Sequence, residues 1–541
     1  MSMYSGFSFF TPGPSGSGSG RGQRTVDQYG KDRDKKRPLL LDAVMGGQER
    51  VSRSSSRLLQ MPTEILAEIV NLLGDSKSAL ANLALVNSDC RQLARTSQFA
   101  EVTFDYSARS KGLFAHLAKE AGSQNTKRSI AACVRRATFA AHPSRDVNDV
   151  LWSLKSSSLS EEEIQTYIKL RNALAHGISA MPNLEALIWV YPLALDTAFF
   201  QLMTQSKAQH VKLSRIMVNG LPGSLEPPLL PSTWPIRSLD LELVMSEAYS
   251  SLARTYPPQA DVVDQMSKFF SSLFRLCSPT LESLRWSYKG SIYSGESHCI
   301  EFGEDPISQL RSLSLAWGGG SDEDDDHIRH NLRIPKKSLL ALEALTSLEQ
   351  LSLAVGNQTG QEAQWAVKHD KLLASLGKLQ KLKKLALSRD TYPIPLDADD
   401  RYSDDYYEAC AVTDAEIRDA KLRPELDIAE DLEGTGLDDK GSDSDDMRHW
   451  TRAHRNRMLS HAERYAAVLP ELEWMFCGRW PMGIERDFKN PAAPVKAVPL
   501  SRIEQDSSVN TVVASIAAIC LPGSCYLLGC AGTAIVFRAG I

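Results

Sequence analysis

The stretch Leu348-Glu-Gln-Leu351-Ser-Leu353 decides the fold, because its spacing of leucines and a final apolar residue returns along the chain. The further copies are Leu184-Glu-Ala-Leu187-Ile-Trp189, Leu281-Glu-Ser-Leu284-Arg-Trp286, Leu310-Arg-Ser-Leu313-Ser-Leu315 and Leu382-Lys-Lys-Leu385-Ala-Leu387. A shorter version is Leu239-Asp-Leu241, and a degenerate one is Leu472-Glu-Trp-Met475-Phe-Cys477. The last two apolar residues of each copy alternate with one other residue, which predicts a half-buried strand with Trp189 and Trp286 in the core.

Helix-like segments precede several of these predicted strands. Gln259 to Cys277 places Met266, Phe269 and Phe270 at helical spacing, and His461 to Leu469 stops before Pro470. Ser160-Glu-Glu-Glu163 has capping-box spacing and predicts another helix start. A helix, a short turn and a strand, repeated, resembles a leucine-rich-repeat solenoid, in which each unit buries its apolar face by stacking on the next.

The spacing of the repeats is uneven. The second leucine of the copies falls at 187, 239, 284, 313, 351 and 385, which gives steps of 52, 45, 29, 38 and 34 residues. Regular leucine-rich repeats have about 20 to 29 residues. The sequence therefore predicts an irregular solenoid and leaves a globular α/β domain open as the alternative.

A different pattern occupies the residues before the repeats. Ile65, Leu66, Ile69, Leu72 and Leu73 recur at helical spacing after Pro62, and Gly74 with Asp75 ends this first helix. A second helix carries Leu80, Leu83 and Val86, and either Asn87 or Ser88 can cap a third that carries Leu93. So small a unit buries little of its own surface, which favours a helical hairpin that completes its core against a partner.

The run from Leu58 to Ala94, LLQMPTEILAEIVNLLGDSKSALANLALVNSDCRQLA, resembles an F-box in its fungal form. Met61 stands where that family usually has leucine, and Phe99 or Phe104 takes the place of a tryptophan after the third helix. The resemblance implies a non-catalytic substrate-receptor subunit of a Skp-cullin-F-box ubiquitin ligase. It also implies the residues that would contact the Skp-type adaptor, through which a cullin is recruited: Met61, Pro62, Ile65, Leu66, Ile69, Leu73, Leu83, Val86 and Leu93. Some of these must pack inside the hairpin instead.

The repeats are the predicted site for an unknown protein target. Positions between the inward residues of the strands point to the other face of the sheet, and the predicted target-binding residues are Asp240, Arg285, Ser314 and Ser352. Repeat proteins commonly bind partners on that face. The alternative function is an F-box scaffold without ubiquitin transfer, tethered by its C-terminal tail.

The whole chain is a predicted α+β repeat protein with disordered additions. Its segments are a disordered basic arm (1–57), the F-box-like hairpin (58–97), the irregular repeat region (98–395), an acidic disordered insertion (396–450), a last repeat or cap (451–490) and an apolar C-terminal tail (491–541). Asp397 to Asp446 holds nineteen acids and five lysines or arginines. Self-repulsion of these charges is the basis for predicting disorder there.

Composition excludes several classes of protein. Of 541 residues, 43% are hydrophobic and 23% charged, with a net charge of −5, so no chain-wide basic field favours nucleic acid. Nine scattered cysteines fit a reducing compartment and a cytoplasmic or nuclear protein. The uncharged run Thr511 to Phe537 is long enough to span a bilayer, but Pro522 and its glycines dilute it, so a tail anchor is the less favoured alternative. No motif predicts an enzyme, cofactor or metal site. His327 and His330 follow acids in a polar loop, which favours a solvated pair over metal ligands, and neither a histidine nor a CxxC accompanies Cys520, Cys525 and Cys530.

Overall fold

The computed structural model describes a single large sheet flanked by helices. The described residues are 57–74, 76–104, 108–122, 129–139, 177–178, 180–190, 197–218, 233–245, 260–289, 307–317, 336–355, 365–388, 390–391, 412–423, 426, 443–478, 480–487, 489–490 and 493–500. The predicted basic arm, most of the 160–178 helix, the two histidines of the 322–330 loop and the apolar run 511–537 lie outside these ranges.

Three short helices come first, as the sequence predicts. They are α1 (Thr63–Leu73), α2 (Lys77–Val86) and α3 (Ser88–Gln98), preceded by a 3-10 turn at Leu58–Gln60. Of the two possible caps for the third helix, the structure uses Asn87, whose Oδ1 accepts a hydrogen bond from the Cys90 backbone N–H at 2.8 Å. Ser76 caps α2 in the same way.

Twelve strands form the main sheet in strict chain order. They are β1 (Glu101–Phe104), β2 (Arg136–Phe139), β3 (Ala186–Trp189), β4 (His210–Val218), β5 (Ser238–Met245), β6 (Ser283–Lys289), β7 (Ser312–Trp317), β8 (Gln350–Val355), β10 (Lys384–Ser388), β12 (Trp474–Gly478), β13 (Trp480–Glu485) and β14 (Lys496–Pro499). A separate two-stranded pair is formed by β9 (Trp365–Ala366) and β11 (Asp390–Thr391). Every new strand of the main sheet is added on the same side, which is the order of a solenoid rather than of a doubly wound α/β domain.

The predicted leucine pattern builds the core. Leu187, Leu239, Leu284, Leu313, Leu351 and Leu385 occupy equivalent places along the strands, in register through β4, and each is at most 1% exposed. Trp189 and Trp286 are buried in the same core, as predicted. The helices that pack onto this face are α4 (Ala108–Gly122), α5 (Thr197–Met203), α6 (Ala260–Cys277), α7 (Lys336–Glu343), α8 (His369–Leu376) and α10 (Asp443–Val468). Helix α9 (Asp414–Lys421) packs on α10.

Aromatic rings replace leucines in the N-terminal half of the core. Phe104 stacks on Phe139 at 4.8 Å between centroids, and the chain of contacts continues through Trp189 and Phe199. It then runs from Phe200 to Phe269 and Phe270 and ends at Trp286. Rings of different size fill the repeats where the spacing of the sequence pattern is longest.

The prediction of a disordered insertion over 396–450 is wrong for two helical parts of it. Helix α9 forms inside the acidic segment, and α10 begins at Asp443. A capping box starts α9: Thr413 Oγ1 accepts from the Glu416 N–H, and the Glu416 carboxylate accepts from the Thr413 N–H. The Arg457 guanidinium of α10 donates twice to the same carboxylate, at 2.7 Å each, so local pairing overcomes the repulsion of like charges.

The C-terminal end of the sheet also differs from the prediction. The last repeat (451–490) contains the end of α10, β12 and then an antiparallel strand, β13. The predicted apolar tail begins with a further strand, β14, which pairs antiparallel with β13. The Leu500 N–H donates to the Pro481 carbonyl at 2.9 Å and extends this pairing. A parallel array thus ends in an antiparallel hairpin.

Candidate protein-binding surfaces

The three helices α1 to α3 form a unit with a small core of their own. Leu66 and Val70 of α1, Leu80 of α2 and Leu93 of α3 are all buried in this cluster. Leu58, Leu73, Leu83 and Ala84 pack against it while keeping part of their surface accessible. The three helices therefore share a small hydrophobic core.

The nine residues that the F-box resemblance implies for adaptor contact divide into two sets. Leu66 and Leu93 are buried inside the helical unit, and Leu73 and Leu83 are half-buried against its core. Met61, Pro62, Ile65 and Val86 are exposed, and Ile69 is half-buried without belonging to the core cluster. The second set is the more accessible of the two, and its members other than Ile69 are exposed.

Two exposed leucines belong with this second set, and the sequence interpretation omitted them. Leu72 is 82% exposed, and Leu85 is 77% exposed. Leu72 follows Ile65 by seven residues and Ile69 by three, so the three side chains share one face of α1. The helical spacing of Leu72 from Ile65 and Ile69 was enough to predict that the three share a face. No such spacing distinguishes Leu85, because it lies in an almost continuously apolar helix.

Large exposed apolar side chains concentrate on these helices. Among the described residues, nine such side chains are exposed, and five of them lie between 61 and 86: Met61, Ile65, Leu72, Leu85 and Val86. Scattered single apolar residues are normal on a protein surface, and this stretch holds more of them than the rest of the described chain. We call Met61, Pro62, Ile65, Ile69, Leu72, Leu85 and Val86 the apolar helical surface.

The helical unit is joined directly to the sheet. Only Phe99 and Ala100 separate α3 from β1, and Phe99 packs against both the helical core and the core of the array. The buried Gln92 amide of α3 donates to the Ser129 carbonyl at 3.1 Å and contacts Cys133 Sγ at 3.3 Å. Cys133 precedes β2, so these bonds connect the helices to the second strand as well as the first.

The cysteines of the described region are buried thiols. They are Cys90, Cys133, Cys277 and Cys477. Burial raises the pKa of Cys133 to about 12 and raises that of Cys277 further still. Thiolate is the reactive form, so a raised pKa lowers the reactivity of the Cys133 and Cys277 thiols.

The four predicted target-binding residues do share one face of the sheet, opposite the helices. Asp240, Arg285, Ser314 and Ser352 are successive partners in the register of β5, β6, β7 and β8. Their accessibility differs: Asp240 and Ser352 are buried, while Arg285 and Ser314 are partly exposed. The low accessibility of Asp240 and Ser352 limits what a partner could contact directly, and target binding by the four residues stays a prediction.

Two cations cover Asp240. Its Oδ2 lies 3.5 Å from Arg285 Nη1 and 3.6 Å from Lys212 Nζ, and Lys212 is its register partner on β4. Both cations keep more exposed surface than the carboxylate between them. The arrangement satisfies a buried carboxylate from both sides and presents its cations outward.

The same face becomes apolar toward its C-terminal end. Trp474 and Phe476 of β12 stack at 6.4 Å between centroids and pack with Ala386 and Leu500. The sequence interpretation missed this cluster because it expected only the inward residues of each strand to be apolar. Between the charged and the apolar parts, β7 and β8 contribute Ser312, Ser314 and Gln350.

The described region contains neither a candidate metal cluster nor a candidate membrane span. Within it, no group of three His, Cys, Asp or Glu side chains has an arrangement that could hold a metal ion. None of its helices combines the length and the apolar character needed to cross a membrane.

Comparison with known proteins adds little. No protein-family model matches the chain, and no curated protein matches it. Among solved structures, it is similar to an internalin from Listeria monocytogenes, at 12% sequence identity over 65% of this chain and 85% of that one, with a TM-score of 0.21. So low a TM-score carries no weight, and the solenoid assignment rests on the strand order described above.

Proposed function

We propose that this protein is the substrate-receptor subunit of a Skp-cullin-F-box ubiquitin ligase. The apolar helical surface would dock on the Skp-type adaptor, and the face of the sheet opposite the helices would hold the protein target. The receptor needs no catalytic residue, because it acts by holding a target close to a charged conjugating enzyme and so raising its local concentration.

The observation that carries this proposal is the exposure of Ile65, Leu72, Leu85 and Val86 on a helical unit that already has a core. Burial of an apolar surface contributes roughly 25 cal/mol for each Å² removed from water. The internal packing of Leu66, Leu80 and Leu93 makes the unit stable enough to present this surface, and a partner would remove it from solvent. The F-box resemblance names the class of partner.

Co-purification with a Skp-type adaptor tests the docking step. The double substitution Pro62→Ala with Ile65→Ala removes contacts from an exposed part of the surface and should abolish adaptor binding while the repeats stay folded. Undiminished binding by the folded double variant would contradict the assignment. A folded, wild-type chain that never captures the adaptor would contradict it as well.

Recovery of a cullin separates the two functions that share this surface. A ligase subunit brings down adaptor and cullin together, whereas a scaffold brings down the adaptor without the cullin. Proximity labelling with and without proteasome inhibition then searches for the target, which should accumulate near the receptor when the proteasome is blocked. Partners that do not change with inhibition would favour the scaffold.

A further inference from the structure

The backbone joins successive repeats in the same way throughout the array. At each step, the carbonyl of the residue just before one strand accepts two N–H bonds from the equivalent residue and its successor in the next strand. The positions are Ala100, Arg135, Glu185, Gln209, Arg237, Glu282, Arg311, Glu349, Lys383 and Glu473, and the bonds measure 2.7 to 3.2 Å. This pattern holds strands together but does not distinguish one neighbour from another.

The buried leucines in the C-terminal half of the array also do not distinguish a strand's correct neighbour from the strand one repeat further on. Strands β7, β8 and β10 each present two buried leucines at matching places, for example Leu313, Leu351 and Leu385. A strand that skipped its neighbour would meet the same apolar surface one repeat further on. Incorrect pairing of similar repeats is a characteristic misfolding route of such proteins, and looping out a repeat costs little chain entropy.

The side chains at the joining positions do discriminate, because their charges alternate. From Arg237 to Glu473 the signs run positive, negative, positive, negative, positive, negative without interruption; the residues are Arg237, Glu282, Arg311, Glu349, Lys383 and Glu473. We call these six residues the charged row. Skipping one repeat would place Glu282 beside Glu349, or Arg311 beside Lys383.

Several neighbours in this row are close enough to interact. Arg237 Nε lies 3.9 Å from Glu282 Oε1, and Arg311 Nη1 lies 3.7 Å from Glu349 Oε1. Lys383 Nζ lies 3.3 Å from the other oxygen of Glu349, so that carboxylate is held from both sides. Earlier in the array, Arg135 and Glu185 form a two-bond pair of the same kind.

We propose that the charged row sets the order in which the repeats stack. Exposed ion pairs add little to the stability of a native structure. Their value here lies in the difference between two arrangements: neighbours of opposite charge along the native order, and two like charges at the junction where a repeat is omitted. The row supplies the discrimination that identical backbone bonds and similar leucines lack.

The test is a change of charge order at constant composition. In the full chain, Arg311→Glu combined with Glu349→Arg keeps the net charge but places like charges together at Glu282/311 and at 349/Lys383. A matched control reverses all six signs and so keeps the alternation. After dilution from urea, the yield of native monomer should be at least threefold lower than wild type for the exchanged pair and unchanged for the reversed row.

Salt separates this electrostatic effect from a general packing defect. The difference should be present at about 0.01 M salt and vanish at about 1 M, where the screening length falls from roughly 30 Å to 3 Å. Equal yields for the exchanged pair and the wild type at low salt would overturn the proposal, as would an equal loss for the reversed row. Should neither multiple variant refold at high salt, Glu349→Lys places three cations in succession, and a salt-independent yield for it overturns the proposal too.

Discussion

Ile65 and Leu66 are neighbours in α1, yet Ile65 is 48% exposed and Leu66 only 1%. One peptide unit thus separates a residue of the apolar helical surface from a residue of the helical core. Two substitutions that look alike in the sequence should act on different properties of the protein.

Stability should depend on Leu66 and hardly on Ile65. Leu66→Ala leaves a cavity in a small core and should lower the free energy of unfolding of the helical unit by about 2 to 5 kcal/mol. Ile65→Ala removes an exposed side chain and should change it by about 0.5 kcal/mol or less. Urea unfolding of the two variants measures the difference, and equal losses would show that the helices pack otherwise than described.

Adaptor binding should show the opposite dependence. Ile65→Asp with Leu72→Asp places two charges on the apolar helical surface, where docking would bury them, and should weaken adaptor binding at least tenfold. Leu340→Asp is the matched control, because Leu340 is also an exposed apolar residue but lies on α7 of the array. Calorimetry with purified adaptor measures both. Equal weakening by the control would point to a nonspecific effect of added charge.

The alkylation rate of Cys133 should report on the packing between the three N-terminal helices and the sheet. Its high pKa and full burial predict very slow alkylation at pH 8 in the native protein. Gln92→Ala removes the amide that bonds Ser129 and contacts Cys133, and should raise the labelling rate of Cys133 about tenfold through local opening. Cys277 lies in the array core and serves as the internal control, since its labelling rate should not change. Parallel acceleration of both thiols would indicate global unfolding instead.

Removal of Asp240, on the face of the sheet opposite the helices, should lower the stability of the array. Asp240→Ala leaves Lys212 and Arg285 without the carboxylate they share in a largely desolvated place, and should cost about 1 to 3 kcal/mol. Ser314→Ala, on the same register row, should cost much less. Denaturant unfolding measures the two variants. A near-zero cost for Asp240→Ala would mean that solvent satisfies both cations.

Docking of α9 on α10 should weaken in acid. Burial by itself would raise the pKa of Glu416, but the bonds from the Thr413 backbone and the Arg457 guanidinium hold it below its ordinary value. A carboxylate whose pKa is lower in the folded than in the unfolded state stabilises the folded state at every pH above the unfolded-state pKa, here about 4.5. This stabilisation is lost as the pH falls below that value. Hydrogen exchange of residues 414–421, corrected for intrinsic rates, should accelerate over this window in the wild type. In Glu416→Gln it should already be fast and respond far less to pH.

The sequence predicts the array well where its pattern is complete. Each leucine motif from Leu281 to Leu387 coincides with a strand, because two inward apolar residues at alternate positions leave few other ways to be buried. Strands β1 and β2 escape that pattern, since Phe99 and Val134 stand where each motif has its first leucine, three residues before the inward Val102 and Ala137. Four residues with ordinary composition carry too little periodicity to identify a strand.

The candidate surfaces were less predictable than the fold. Helical spacing places Ile65 and Leu66 in one helix, but only three-dimensional packing shows which of them faces the core. The accessibility of Asp240 depends in the same way on Lys212 and Arg285, which are 28 and 45 residues away in sequence. Pairing between distant residues also stabilises α9 inside a segment whose composition alone favours disorder.

The hairpin that ends the sheet has a consequence for behaviour at high concentration. Because the Leu500 N–H bonds to Pro481, alternation along β14 turns the nitrogen of Pro499 toward the edge away from β13, where a proline has no hydrogen to donate. Lys496 adds a charge on the same strand. A second molecule that paired with this edge of β14 would find an interrupted row of hydrogen-bond donors, which disfavours growth of the sheet into fibres through this strand.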